Sequence, residues 1–187
     1  MNLNRLVVRP QPHVVLRDPV HLLAFGFGAG LAPKAPGTFG TLVAVPLFLL
    51  LYWLPLWLYL AIVAALFGVG VWLCGESARR LGTHDHPGIV WDEIVGFLIT
   101  MLPVTPGLLG ALTPAPLWFW LLVGFGAFRA FDITKPAFIR RADAQVSGGL
   151  GIMLDDVLAG VCAAAVLVLM TLPTVLFIPP LPLPAGP

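Results

Sequence analysis

Charged residues are absent from three long stretches of the chain: Ala35 to Gly75, Ile94 to Phe128, and Val157 to Pro187. Every Asp, Glu, Lys and Arg falls outside them, in Arg5 to Lys34, Glu76 to Glu93, Arg129 to Asp143 and the pair Asp155–Asp156. A charge at the centre of a bilayer costs about 2.5–3.5 kcal/mol on insertion scales, so this segregation suits a chain that crosses a membrane several times. A spanning helix needs about 20 apolar residues. The first stretch has room for two, divided near Tyr52-Trp53-Leu54-Pro55, where aromatics suit an interface and the proline suits a turn. The second also has room for two, divided by the proline- and glycine-rich segment Pro103 to Pro116. A last span runs from about Ile152 to Leu172, ahead of the tail Pro179-Pro180-Leu181-Pro182-Leu183-Pro184, which cannot form a helix.

The pattern predicts an all-α fold, a polytopic membrane helical bundle of about five spans with charged cytoplasmic loops. Residues 1–20 form a cytoplasmic N-terminal segment, 21–172 the membrane-embedded domain, and 173–187 a proline-rich tail. Threading five spans puts every charged segment on one face, whereas the connections near Pro55 and around Ala111, and the tail, carry no charge. All ten Lys and Arg then share one side, which the positive-inside rule makes cytoplasmic. Residues 1–20 are no secretory signal, because Arg5, Arg9, Arg17, Asp18 and three prolines interrupt any apolar core. His21 to Ala32 is apolar but too short to cross, and reads as a half-span or interfacial segment.

Composition sharpens this picture. The chain is 59% apolar and 10% charged, where a soluble domain carries about a quarter charged residues. A net charge of +1 leaves no basic patch for nucleic acid. Cys74 and Cys162 sit in apolar runs and read as packing residues, not as a disulfide framework. No cysteine is followed five residues later by an arginine, so a cysteine-phosphatase loop is absent. The spans also lack the ladder of interior charges that a proton pump or voltage sensor needs.

The charges themselves carry the candidate chemistry. Asp85, Asp92, Glu93, Asp132, Asp143, Asp155 and Asp156 all fall at the cytoplasmic ends of spans. Helix ends in a bundle lie about 10 Å apart, so several of these acids converge. Like charges that close are stable only if some protonate or a cation binds. A hard divalent ion, Mg²⁺ first, prefers such an all-oxygen site. Asp92 and Glu93 open a helix, where the dipole favours acids by up to about 1 kcal/mol, enough to account for them without chemistry. Asp155–Asp156 also lies near a helix start, but a second adjacent acid at a membrane boundary costs more than capping returns. Asp132 lies at the C-terminal end of its span, where the dipole disfavours an anion. An ion pair with Arg129 or Lys135, each three residues away, is its structural alternative.

Arg129, Asp132 and Lys135 form one helical stripe, offering a bidentate fork and a point charge to a phosphate, or a snorkelling pair to lipid head groups. Arg140–Arg141 suits orientation and anionic lipid. The stretch Lys34 to Thr41, with Gly37, Thr38 and Gly40, precedes a span and could cradle a phosphate on its backbone N–H groups, or serve as an interfacial turn. Ser147-Gly148-Gly149-Leu150-Gly151 lets the backbone pass close to a ligand or to another helix. His84-Asp85-His86 has a metal-like composition but no zinc spacing, and reads as a polar loop.

Three blocks together resemble a known family. They are Gly28-x-Gly30-x-x-Pro33-x-x-Pro36-Gly37-Thr38-x-Gly40-Thr41; His84-Asp85-His86 with Ile89-Val90-Trp91-Asp92-Glu93-x-Val95-Gly96; and Phe128-Arg129-x-Phe131-Asp132-Ile133-x-Lys135-Pro136 with Gly148-Gly149-x-Gly151-Ile152-Met153-Leu154-Asp155-Asp156-Val157-x-Ala159-Gly160. From about Gly26 to Gly160 the chain resembles phosphatidylglycerophosphatase A, a Mg²⁺-dependent enzyme that dephosphorylates phosphatidylglycerophosphate in bacterial phospholipid synthesis. The resemblance implies that Asp92, Glu93, Asp155 and Asp156 bind Mg²⁺, and that Asp132 and Asp85 are catalytic. Lys34, Thr38, Arg129 and Lys135 would hold the substrate phosphate. It further implies a multi-pass protein of the bacterial inner membrane, its active site on the cytoplasmic face and its partners the lipid substrate and the surrounding membrane.

The alternatives are a phosphatase or phosphotransferase acting on another glycerolipid, and a non-catalytic membrane protein that binds divalent ions. An ion carrier would place acids mid-span, where this chain has none. Gly26 and Gly30 have the small-residue spacing of packed helices, which fits a homo-oligomer and packing within one chain equally well.

Overall fold

The computed structural model describes residues 10–83, 86–113 and 115–176, with the side chains of 142–144 and 174–176 left aside. The described residues are helical, without strands. Two short helices, α1 (Pro12–Arg17) and α2 (Pro19–Ala24), lead into a 3-10 segment, Gly26–Leu31. The five apolar segments of the sequence become α3 (Pro36–Leu51), α4 (Leu56–Leu81), α5 (Trp91–Met101), α6 (Leu117–Thr134) and α8 (Gly148–Leu176), and α7 (Ala137–Gln145) precedes the last.

Local chemistry sets these boundaries. Pro36 occupies the first turn of α3, where its missing N–H costs nothing. The break at Tyr52–Pro55 falls where the sequence places it, between α3 and α4. Gly82 ends α4 in the left-handed conformation (φ 66°), with its N–H and that of Thr83 returning to the carbonyls of Arg79 and Ala78. α5 stops at Met101 and passes through a 3-10 turn, Leu102–Val104. Thr105, which precedes Pro106, is extended, so the helix does not resume there.

Three helices are long and apolar enough to cross a membrane: α4, α6, and α8 over Gly148–Pro173. With 16 and 11 residues, α3 and α5 fall short of that length. Hydropathy marks five apolar segments without saying where each helix stops: α5 ends just before Pro103, whereas α3 runs through Pro46 and α8 through Pro173.

α8 is the centre of the bundle and packs against α4, α5, α6 and α7, while α3 lies on α5. Its closest approaches are made backbone to backbone. A Cβ on Gly160 would sit 2.4 Å from the carbonyl oxygen of Gly96, and one on Gly96 would sit 2.7 Å from that of Asp156. The Thr100 hydroxyl closes this crossing by donating to the Gly96 carbonyl at 3.0 Å and reaching that of Gly160 at 3.4 Å. Three turns earlier in α8, a Cβ on Gly149 would meet the Val71 carbonyl oxygen at 1.8 Å, so this glycine-rich start serves helix packing. Tyr59 donates to the Leu98 carbonyl (2.7 Å) and the Trp91 indole to that of Leu66 (3.0 Å), fastening α5 to α4.

The segment His21–Ala32 does not cross the bundle. It forms α2 and the 3-10 segment and packs on α4 and α3. Asp18 caps α2 through the Val20 N–H (2.9 Å) and pairs with Arg80 (2.6 Å). Beneath it the buried His21 ring shares a 2.8 Å hydrogen bond with the Ser77 hydroxyl, and burial lowers its pKa, favouring the neutral ring. Trp53, Trp57 and Trp118 are exposed at the end of the bundle away from the charged residues, as an aromatic belt would place them.

Replacing Gly160 with leucine should separate α5 from α8. Overpacking of this kind costs about 1–3 kcal/mol, so the detergent-solubilised variant should unfold at a temperature lower by several degrees than the parent. Unchanged thermal unfolding would contradict the backbone contact.

Candidate active site

The crossing of α5 and α8 determines which acids meet. Asp92 lies one turn before Gly96, and Asp156 one turn before Gly160, so bringing the glycines into contact brings the carboxylates together. One oxygen each from Asp92, Glu93 and Asp156 lies within 4.8 Å of the others. Asp92 and Glu93 are in the first turn of α5, as the sequence predicts. Asp155 and Asp156 lie two turns into α8, because that helix already begins at Gly148. No capping role accounts for them, and both are buried, as is Asp92.

A cavity of about 260 Å³ opens over these groups, lined also by Arg129, Asp132, Lys135, Asp155 and the Ala35–Gly37 backbone segment. Five carboxylates therefore face two cations. Arg129 Nη1 lies 2.5 Å from Asp132 Oδ2 and 3.9 Å from Glu93 Oε1. The pairing with Asp132 is the i,i+3 contact expected of the stripe. Lys135 departs from it. At the end of α6 it adopts the left-handed conformation (φ 39°), its N–H bonded to the Phe131 carbonyl, and its ammonium pairs with Asp155 of α8. That backbone costs a non-glycine residue about 1 kcal/mol or more, and here it aims a cation into the site.

The remaining acid charge suits a cation. The donor set is all oxygen, and Glu93 Oε2 is buried with no hydrogen-bond partner among the described residues. A buried carboxylate oxygen left in that state is costly without a proton or an ion. Asp92, Glu93 and Asp156 thus fit a hard divalent ion such as Mg²⁺, with Asp155 beside them.

Two expected phosphate contacts fall outside the cavity: Lys34 is exposed and Thr38 half-buried, and neither lines it. Asp85 and His84 lie outside the described residues, as does the side chain of Asp143. Conversely, Gly37 is closer to the site than its spacing suggests. A Cβ there would meet Glu93 Oε1 at 2.2 Å and Arg129 Nη1 at 2.9 Å. The signal was the Pro36-Gly37 helix start, but only the fold shows what it faces.

A helical membrane protein with buried carboxylates and paired cations around one small cavity has the equipment of a phosphatase. The profile of the phosphatidylglycerophosphatase A family matches residues 22–171. The chain is 44% identical to the phosphatidylglycerophosphatase A of Escherichia coli K12 over 152 residues, covering 81% of this chain and 83% of that one. It is 42% identical to the protein of that name from Haemophilus influenzae over 158 residues, 84% and 91% of the two chains. It is also 37% identical over 146 residues, 75% and 86% of the chains, to a Bacteroides thetaiotaomicron protein provisionally named a phosphatidylinositol-3-phosphatase. No solved structure matches the chain significantly. The chain belongs to the phosphatidylglycerophosphatase A family and is a phosphatase.

Because Gly37 is the wall against Glu93 and Arg129, Gly37→Val should displace both side chains. Misplacing such groups by about 1 Å costs on the order of 100-fold in rate. Phosphatase assays should show kcat/KM reduced at least tenfold with thermal unfolding little changed. Full activity would mean that the two side chains relocate without consequence.

Proposed function

We propose that this protein is a Mg²⁺-dependent phosphatase of the bacterial inner membrane that hydrolyses the phosphomonoester of phosphatidylglycerophosphate, releasing phosphatidylglycerol and phosphate. The observation that supports this most is the convergence of Asp92, Glu93, Asp132, Asp155 and Asp156 with Arg129 and Lys135 on one cavity, in a chain of this family. We place that cavity on the cytoplasmic face, with five segments threading the membrane, because every Lys and Arg then lies on that side. Acyl chains would stay among the spans while the phosphomonoester reaches the charged layer.

Asp92, Glu93, Asp155 and Asp156 would hold the metal. Bound there, Mg²⁺ would neutralise phosphate oxygens and lower the pKa of a bound water. Arg129 and Lys135, already positioned by Asp132 and Asp155, would exchange part of those ion pairs for phosphate oxygens. Releasing Arg129 frees the Asp132 carboxylate for one of two roles. As a general base it takes a proton from the water that attacks phosphorus, the P–O bond to the glycerol breaks, and the proton passes to the departing alkoxide. As a nucleophile it displaces that alkoxide, which takes a proton from solvent, and water then hydrolyses the aspartyl phosphate. Borohydride trapping separates the two: a phosphorylated Asp132 supports the nucleophile, and failure under full turnover supports the base.

The test of the whole reading is phosphate release from phosphatidylglycerophosphate by the detergent-purified protein, first with Mg²⁺ and then with excess EDTA. Release should require Mg²⁺ and fall at least 100-fold in Asp156→Asn. Release undiminished by EDTA would remove the metal from the mechanism. Asp132→Asn should be similarly inactive, and normal turnover by that variant would end both roles proposed for Asp132. The Bacteroides relative's name favours a second reading, another lipid phosphomonoester as substrate, and a higher kcat/KM on phosphatidylinositol 3-phosphate in the same assay would establish it.

A further inference from the structure

Three consecutive residues between α2 and α3, namely Gly26, Phe27 and Gly28, hold positive φ (54°, 58° and 98°). Glycine adopts that backbone freely, whereas a bulky side chain rarely does. The two outer positions carry the residue the turn calls for, and the middle one carries a phenylalanine. Strain of this kind persists only where the surroundings enforce it. Here the Phe25 carbonyl accepts the N–H groups of both Gly28 (3.1 Å) and Gly30 (3.0 Å). A Cβ on Gly26 would lie 2.8 Å from Val90 Cγ2, and one on Gly30 would lie 1.9 Å from the Gly88 carbonyl oxygen. The turn is thus pinned to the segment that enters α5.

The Phe27 ring gains little from the protein in return, being 63% exposed. Beside it lies the outer side of α1: a Cβ on Gly28 would lie 3.3 Å from Leu16 Cδ2. Leu16 and Val14 are exposed, while Val15 between them is buried. The turn packs on α3, where Phe39 and Leu42 are exposed as well. Arg17 precedes this segment and Lys34 follows it; both are exposed, and neither forms an ion pair among the described residues. Through Val90 the turn stands level with the start of α5, two residues before Asp92. An apolar patch between free cations suits a lipid surface, with the apolar groups at the acyl boundary and the cations on lipid phosphates.

We propose that the Gly26–Gly28 turn is a membrane anchor, with Phe27, Leu16 and Val14 seated at the boundary between lipid head groups and acyl chains. The proposal rests on the membrane placement above and adds what sets the depth of the site. Because the turn is fixed to Gly88 and Val90, the level of Phe27 in the bilayer determines that of Asp92 and Glu93. It thereby determines the height at which a lipid phosphomonoester meets the cavity. The strained backbone turns the ring out of the bundle, where lipid receives it.

Depth-dependent quenching tests this. Phe27→Cys and Val69→Cys, the latter exposed midway along α4, are each made in a Cys74→Ala/Cys162→Ala background and labelled with bimane. The full chain is reconstituted in vesicles of phosphatidylcholine and phosphatidylglycerol carrying nitroxide lipids. A nitroxide near the top of the acyl chain should quench the label at position 27 about twice as strongly as one near its end. Position 69 should show the reverse order. No quenching at position 27, or strongest quenching there from the chain end, overturns the anchor. An unquenched position 69 overturns it too, by removing the bundle from the bilayer. Should the cysteine-free background fail to fold, Phe27→Trp with brominated lipids, read as the difference from the parent, decides. Phe27→Gly gives an independent check. It should unfold in detergent no earlier than the parent, because glycine accepts the turn. Its phosphate release from phosphatidylglycerophosphate in vesicles should fall roughly threefold, with release from a monomeric short-chain analogue unchanged. Earlier unfolding, or equal loss on both substrates, overturns the proposal. Failure of the catalytic reading is seen separately, as absent release by the parent, and leaves the quenching interpretable.

Discussion

The contact between Gly96 and Gly160 is the constraint on which the rest of the molecule depends. Two helix backbones touch there without side chains between them, and the Thr100 hydroxyl bridges both carbonyls. Everything one turn toward the charged end is thereby fixed in relative position. Asp92 and Glu93 come from one helix, Asp156 from the other, and their separation is set by two residues that carry no chemistry. Without hydrophobic driving force between helices inside a bilayer, close packing of this kind is what holds helices together. The same contact assembles the fold and the site.

That arrangement concentrates acid charge where it is expensive. Arg129 and Lys135 balance two of the five carboxylates through ion pairs drawn from different elements: Arg129 within α6, Lys135 across to α8. Buried ion pairs gain little net stability, because desolvation offsets the attraction. Their use here is positional. Each cation is held at the cavity by a partner it can exchange for a phosphate oxygen, and the unbalanced acids remain available to a divalent ion.

Much of this was legible before the structure. Charge segregation gave the membrane character, and aromatic and proline placement gave the break between α3 and α4. The stripe of Arg129 and Asp132 gave a real ion pair. What the chain could not reveal has identifiable causes. Hydropathy counts apolar residues without saying where a helix stops, so α5 reads as a span though it ends after 11 residues. Spacing alone suggested a partner for Lys135 three residues away, whereas its left-handed backbone turns it to Asp155. Lys34 and Gly37 are close in sequence, yet only the glycine faces the site, because that depends on how α3 lies on α5. The two-turn lead of α8 ahead of Asp155 was hidden in a glycine run that could equally have been a loop.

The shortness of α5 has a consequence for how the protein meets its surroundings. Its first turn stands in the charged layer and its last lies partway along the bundle, so the depth of the carboxylates is referenced to one membrane surface alone. The longer helices α4, α6 and α8 reach toward the opposite surface, where Trp53, Trp57 and Trp118 stand. A thicker or thinner bilayer is then accommodated by tilt or local lipid adjustment at that far edge, at a modest cost per ångström. On the membrane placement proposed above, the site would keep its register with the head groups beside it when bilayer thickness changes.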